Sequence, residues 1–309
     1  MTTTDTRQAT STDTAWLFIN RIAGGYDKPQ RHASLRRLLQ DLGLNTVEIN
    51  SPEQLACQWA DDTAARPEFI VSVGGDGTAA MIAGQTGGTV PIAIYPAGTE
   101  NILAKYLRIP TDIGAFAKML SKRVVKRLDA GQIDDRTFLL MLSVGFEAEV
   151  VHHVHGRRSG HLTKFHYVKP TFEMLAKYPY PKLELDIELA DGSRTQTEGY
   201  WVFAFNVPRY ALGLEMTPDA VPDDGLLDIC VLTQKGFGAT TSYITSLLSG
   251  RMPYRSDVKR FQAKSAEIRC ATGPVAMQTD GDPAGFTDTR LSVLPNYLPL
   301  IVPPKRSSD

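Results

Sequence analysis

Residues 71–84, VSVGGDGTAAMIAG, decide how the rest of the chain is read. Small and apolar residues run straight into Gly74-Gly75-Asp76-Gly77-Thr78, and a helical pattern takes over from about Gly77. Adjacent glycines let a backbone approach a ligand closely and take φ values that other residues resist. Successive N–H groups leading into a helix N-terminus make a cavity suited to phosphate, and a threonine hydroxyl adds a donor. Asp76 has no place in a bare anion hole, because a carboxylate beside phosphates is repelled. It makes sense as a ligand of Mg2+ or as the acceptor of a proton from an attacking hydroxyl. Taken alone, these residues also admit a Gly-Asp-Gly turn that holds nothing.

Outward from that turn, residues 15–130 alternate between strand and helix signals. WLFIN (16–20), TVEIN (46–50), EFIVSVG (68–74) and PIAIYP (91–96) are short apolar runs that predict buried strands. Between them, Leu35, Leu38, Leu39 and Leu42 recur at helical spacing before Gly43, and further helices are expected around 52–60, 77–85, 101–107 and 112–123. This alternation predicts a doubly wound α/β domain with a parallel sheet covered on both faces. Ligands sit at the carboxyl ends of such strands, where both glycine-bearing turns, 74–78 and 96–101, fall.

The texture changes near residue 130. DDRTFLLMLSVGFEAEV (134–150) reads as strand, and residues 182–207 alternate around an Asp191-Gly192 hairpin turn. GLLDICVLT, SAEIRCAT and PVAMQTDG continue the strand character, broken by one helix near 237–249. The expected organisation is a disordered tail (1–14), the α/β domain (15–129), a mostly antiparallel β domain (130–290), and an apolar segment (291–309) returning to the first domain.

Composition narrows the class. A chain of 309 residues is long enough for two domains with full cores, and 42% hydrophobic with 22% charged residues is ordinary for a globular protein. A net charge of -1 gives no general electrostatic case for a nucleic-acid partner. Three dispersed cysteines and a polar start without an apolar segment predict a cytoplasmic protein, with any membrane contact peripheral at the inner face.

Six ordered blocks carry a resemblance. They are WLFIN at 16–20 (with Arg21 where a proline is usual), VGGDGT at 73–78, PAGTENILA at 96–104, SVGFEAEV at 143–150 with RRSGHLTKFHY at 157–167, the 205–232 stretch ending in DDGLLDICVL, and MQTDGDP at 277–283. Together they resemble the diacylglycerol kinase-like lipid kinase family, which shares GGDGT with NAD kinases and, more loosely, with phosphofructokinases. Neither the N-x-G-x-L-G-F and T-G-S-T-A-Y type segments of NAD kinases nor the sugar-phosphate segments of phosphofructokinases occur here. A non-catalytic lipid- or nucleotide-binding protein on the same scaffold is the rival from another class.

The resemblance implies an α/β nucleotide-binding domain, a C-terminal β-sandwich and an active cleft between them. It implies ATP as donor, Mg2+ as cofactor and a lipid hydroxyl, presented at a membrane surface, as acceptor; a homodimer is compatible with it. Gly74, Gly75, Gly77 and Thr78 would cradle the ATP phosphates, Gly98 and Thr99 would close the second side, and Asn20 would lie near the nucleotide. Asp76 and Asp280 would bind Mg2+ or orient substrate. Asp282 falls where the family usually has glutamate as general base, and Asp76 is the alternative base. Glu100 stands where a small residue is usual. Asp224, with the carbonyls of Val221 and Leu226, would form an all-oxygen structural Mg2+ site.

Five of the six histidines fall within 152–166. A zinc site from His152, His153 and His155 matches no usual spacing, so the run reads as a mobile polar connection. Facing anionic headgroups together with Arg157, Arg158 and Lys164 is a further option, as it is for the basic run 118–127.

Overall fold

β1 (Thr14–Ile19) is buried from Ala15 to Ile19 and β3 (Phe69–Gly74) along its whole length, so neither has a polar face to give to solvent. Such strands belong in the middle of a parallel sheet with helices on both sides. The computed structural model describes residues 14–21, 29–156, 174–175, 177–209 and 213–304. Between and after these two strands come α1 (Pro29–Asp41), β2 (Asn45–Ile49), α2 (Pro52–Ala60), α3 (Asp76–Thr86), β4 (Ile92–Pro96), α4 (Ile102–Tyr106) and α5 (Ile113–Lys122). The strands lie in the order β2-β1-β3-β4, all parallel. Local chemistry sets the helix ends. Ser51 accepts the Gln54 N–H at 3.2 Å ahead of α2, Asp112 accepts the Ala115 N–H at 2.8 Å ahead of α5, and α3 stops at Gly87 with φ +60°.

The second half comprises β5 (Val125–Ile133), β6 (Arg136–Phe138), β7 (Met141–Val144), α6 (Phe146–Gly156), β8 (Leu183–Leu189), β9 (Arg194–Gly199), β10 (Trp201–Phe205), β11 (Leu227–Leu232), α7 (Phe237–Leu248), β12 (Val258–Arg269), β13 (Ala276–Thr279), β14 (Asp282–Phe286) and β15 (Thr289–Ile301). β14-β13-β7-β10-β11-β12 are antiparallel neighbours. Ala263 of β12 pairs with Leu227 on one edge and Leu189 on the other, and farther along Ser265–Ile268 pair with both β8 and β15. One edge of β12 therefore carries β11 first and β15 afterwards, which turns the sheet into two facing layers. Leu142, Val144, Val202, Ala204, Ile229 and Val231 of one layer meet Leu185, Ile187, Ala266, Ile268 and Leu291 of the other in a single apolar cluster. This is the expected sandwich. The opposite faces of the same strands, through Met141, Phe203, Phe205, Cys230 and Leu232, join the core of the parallel sheet together with Tyr243 of α7.

Two expectations change. FEAEV, read as strand, is the first turn of α6. Gly145, at φ +117°, ends β7, and Phe146, Val150 and Val154 bury one helical face at i, i+4 and i+8. His152–Gly156, read as part of a mobile connection, forms the last turns of that helix. The remainder of the basic, histidine-bearing stretch (157–167), the tail 1–13, residues 23–25 and residues 210–212 lie outside the described residues. The divisions drawn at 129/130 and 290/291 fall inside β5 and β15, which pair with each other from Val125–Ile301 to Ile133–Leu291. β15 then reaches the parallel sheet, where Leu300 pairs with Ile92 of β4. Among the described residues, no helix is long and apolar enough to cross a membrane.

Candidate active site

The site begins where β3 and β4 end side by side. Gly74 pairs with Pro96, and the Ala97 N–H donates to Gly74 O at 2.9 Å, so the two glycine turns leave the sheet together. They touch through their glycines. A Cβ on Gly98 would stand 2.5 Å from Gly75 Cα, and one on Gly74 would strike the Thr78 side chain at 2.4 Å. No side chain fits at either place, which explains the glycines by close approach rather than by unusual φ. Thr78, nearly buried, accepts from Asn20 Nδ2 at 2.9 Å, tying the end of β1 to α3. Thr99 is exposed at the rim.

The second turn is closed by Asn101, at φ +50°, whose side chain accepts the Gly98 N–H at 2.9 Å and donates to Gly98 O at 2.8 Å. Asn101 thus spends its amide on the loop and does not cap α4. The cap comes from Asp76, whose two oxygens accept the N–H groups of Ile102 at 2.6 Å and Leu103 at 3.2 Å. A carboxylate at a helix N-terminus is favoured by the orphan donors and the helix dipole. Burial nevertheless pushes the Asp76 carboxyl up to about 6, against the lowering effect of the Ile102 hydrogen bond, and Asp280 adds repulsion.

Asp280 comes from the other half of the molecule, in the turn between β13 and β14, at φ +53°. Its carboxylate accepts three backbone N–H groups, from Leu139 at 2.8 Å, Leu140 at 2.9 Å and Met141 at 3.0 Å, and burial raises its pKa above the ordinary value. Asp76 and Asp280, expected as metal ligands, substrate-orienting groups or a base, are therefore buried with their oxygens on backbone donors. These bonds give both carboxylates a structural role. A base needs an open oxygen within hydrogen-bond reach of its proton.

Asp282 has that opening. Its carboxylate is 53% exposed, and Oδ2 lies 3.7 Å from where a Cβ on Gly77 would stand, over the first turn of α3. The hairpin that carries it is anchored by Gln278, which accepts the Gly281 N–H at 2.8 Å and donates to Ser143 Oγ and Glu147 Oε2, both at 3.1 Å. Ser143 also donates to Glu147. From α6, His152 donates to Met277 O at 2.7 Å, and His155 Nε2 meets Asp282 Oδ1 at 3.2 Å. Sequence reasoning assigned nothing to Gln278 or Glu147, and it weighed His155 only as a zinc ligand or as part of a polar, headgroup-facing run. The first two were present in the quoted blocks, and the i, i+3 spacing of His152 and His155 signals one face of a helix.

The loop expected to hold a structural cation lies elsewhere, beside β5 and β11. Asp224 accepts the Leu226 N–H at 3.0 Å through Oδ1, and the buried Asp129 accepts from Gly225 and Asn296, each at 2.7 Å. Burial raises the Asp224 carboxyl, with repulsion from Asp129 and Asp223 added. Burial, followed by Asp224 and Asp219, pushes Asp228 up to about 6. A hard cation would relieve this excess of negative charge, and one carboxylate with backbone carbonyls is an acceptable oxygen set. Among the described residues no three His, Cys, Asp or Glu side chains converge as ligands, so a cation here would depend on the carbonyls of Val221 and Leu226.

A parallel sheet with glycine turns at its carboxyl edge, faced by a hairpin from a β-sandwich, is an NAD kinase-like two-domain fold. A solved NAD kinase from Archaeoglobus fulgidus in complex with ATP superposes with a TM-score of 0.50 at 15% identity, covering 93% of this chain and 91% of that one. A crystal structure of a diacylglycerol kinase from Bacillus anthracis str. Sterne does so with a TM-score of 0.68 at 24% identity, covering 96% and 99%. Residues 14–133 match the diacylglycerol kinase catalytic domain, and residues 141–302 match the YegS C-terminal NAD kinase beta sandwich-like domain. A diacylglycerol kinase of Mycobacterium tuberculosis (strain ATCC 25618 / H37Rv) is 25% identical over 294 residues, 88% of this chain and 89% of its own length. The chain belongs to the diacylglycerol kinase-like lipid kinase family.

Proposed function

We propose that this chain is an ATP-dependent lipid kinase that transfers the γ-phosphoryl group to a hydroxyl of diacylglycerol or a similar lipid. One observation carries the reading: Asp282, an open carboxylate, faces the N-terminal turn of α3 beside the paired glycine turns. Family membership, a relative named as a diacylglycerol kinase and an ATP complex of the same fold support it.

In this reading Gly74, Gly75, Gly77 and Thr78 hold the phosphates from one side and Gly98 and Thr99 from the other. Asn20 acts from behind, by fixing the Thr78 hydroxyl. Asp282 Oδ2 takes the proton as the lipid O–H bond breaks. The lipid oxygen bonds to the γ-phosphorus, the bond to the bridging oxygen breaks with its electron pair, and ADP departs. Asp282 then returns the proton to solvent. Mg2+, when bound with ATP, neutralises phosphate charge. Asp224 with the carbonyls of Val221 and Leu226 would hold a second, structural Mg2+. A cytoplasmic protein acting on such a lipid would meet it peripherally, at the inner membrane face.

The test is transfer of labelled γ-phosphate from Mg·ATP to micellar diacylglycerol, phosphatidylglycerol, monoacylglycerol and sphingoid bases, with NAD and fructose 6-phosphate in parallel. Wild-type protein is expected to label one lipid class, and Asp282→Asn to lower that rate by roughly 10²–10⁴-fold, the usual contribution of a general base. Labelling of NAD alone would overturn the lipid assignment. ATP binding without transfer to anything would favour a binding protein on this scaffold.

A further inference from the structure

Asp282 differs from its neighbours in how it is held. Backbone N–H groups fix Asp76 and Asp280, whereas Asp282 is met by a side chain from α6. We propose that His155 is a positioning residue for Asp282. The inference rests on the reading of Asp282 as proton acceptor and adds the group that aims it.

The argument starts from the ring. His155 Nδ1 lies 3.0 Å from Val151 O, one turn back on the same helix. A carbonyl only accepts, so this contact assigns the proton to Nδ1 and fixes the ring plane. Nε2 then points at Asp282 Oδ1, and it donates to that oxygen in the imidazolium form, in which both ring nitrogens carry protons. The imidazole side chain is only 15% exposed against 53% for the carboxylate, so the inner member of the pair is the histidine. With Oδ1 occupied, Oδ2 is directed to the opposite side, over Gly77. One oxygen is pinned and the other is presented to the site.

Such a clamp matters more for aspartate than for a longer acid. The side chain has a single methylene, and it stands at the first residue of β14, whose burial pattern is largely open. Released from His155, the carboxylate would sample other staggered positions, and a misplacement of about 1 Å in a reacting group costs on the order of 10²-fold in rate. α6 is itself locked to the same hairpin through His152–Met277 and Glu147–Gln278. His155 therefore moves with the hairpin that carries Asp282.

The test compares His155→Ala, His155→Gln, Asp282→Glu and the double variant His155→Ala/Asp282→Glu, each checked for folding by thermal melting. Diacylglycerol in mixed micelles and Mg·ATP serve as substrates. His155→Ala is expected to lower kcat by about 10–100-fold with KM for ATP little changed. Glutamine presents an N–H near the Nε2 position and should recover most of that loss. In the Asp282→Glu background the carboxylate no longer depends on the same partner, and removing His155 should change kcat by no more than about 3-fold. Equal losses in His155→Ala and His155→Gln, or the same loss in both backgrounds, would overturn the proposal. A second readout does not need turnover: the His155 imidazole 15N resonances, identified by their absence in His155→Gln, should shift in Asp282→Asn. If wild-type protein transfers no phosphate while these resonances shift, the functional reading fails and the contact stands; unchanged resonances sink the contact itself.

Discussion

Two Asp-Gly turns face each other across this site, and they use their carboxylates differently. In Gly75-Asp76-Gly77 the one aspartate is flanked by glycines, and its oxygens cap α4. In Asp280-Gly281-Asp282 the glycine is flanked by aspartates; the first is buried on three backbone donors and the second is left open. In the first turn the carboxylate serves as scaffold. The second is scaffold plus one open carboxylate, the group that takes the proton in the proposed function. A carboxylate in a cleft is thus not evidence of chemistry until its oxygens have been traced.

The largest effect that sharpens this contrast is expected at Asp280. Asp280→Ala strands three buried N–H groups and should destabilise the fold by on the order of 3–5 kcal/mol in urea unfolding. Asp280→Asn, which suits the left-handed backbone and keeps one acceptor, should lose clearly less. Equal losses would mean that the charge, not the pattern of acceptors, holds the hairpin.

Asp76 gives an effect of the next size, visible as pH dependence. It binds its proton more tightly in the folded chain than in the unfolded one, with a folded value of about 6 against 3.8. Its contribution therefore favours folding fully below about pH 4 and is withdrawn as pH rises through 6, by up to about 3 kcal/mol. Ligand-free Asp76→Asn should flatten the urea midpoint between pH 4 and 6 relative to wild type. An unchanged profile would show that Asp76 keeps its charge throughout.

The smallest effect concerns the contact between glycine turns. Gly98→Ala forces a methyl against Gly75 Cα and should cost roughly 1–3 kcal/mol while weakening ATP binding measured by calorimetry. Stability lost without any change in ATP affinity would separate the glycine contact from the phosphate site.

Much of this was legible where the signal is local. Strand, glycine turn and helix at 69–86 are encoded within a few residues of one another, and the Asp191-Gly192 hairpin is likewise self-contained, with Gly192 at φ +85°. α6 was misread because Phe146, Ala148 and Val150 alternate with glutamates, satisfying a period of two as well as a helix; Gly145 and the burial of Val154 decide between them. The capping of α4 by Asp76 links residues 26 apart, and Ser143 and Glu147 meet Gln278 across more than 130 positions. Those pairings are set by strand order, which no short window contains.

β15 has a consequence for synthesis. β4 waits for Leu300, which pairs with Ile92 from 208 positions downstream. At ribosomal speeds the edge of the parallel sheet would stand open for roughly 10–40 s before its last partner emerged. During that interval the nascent N-terminal half presents an unpaired strand edge of the kind that recruits other strands. Its yield in cells should thus depend on what shields that edge until the final strand arrives.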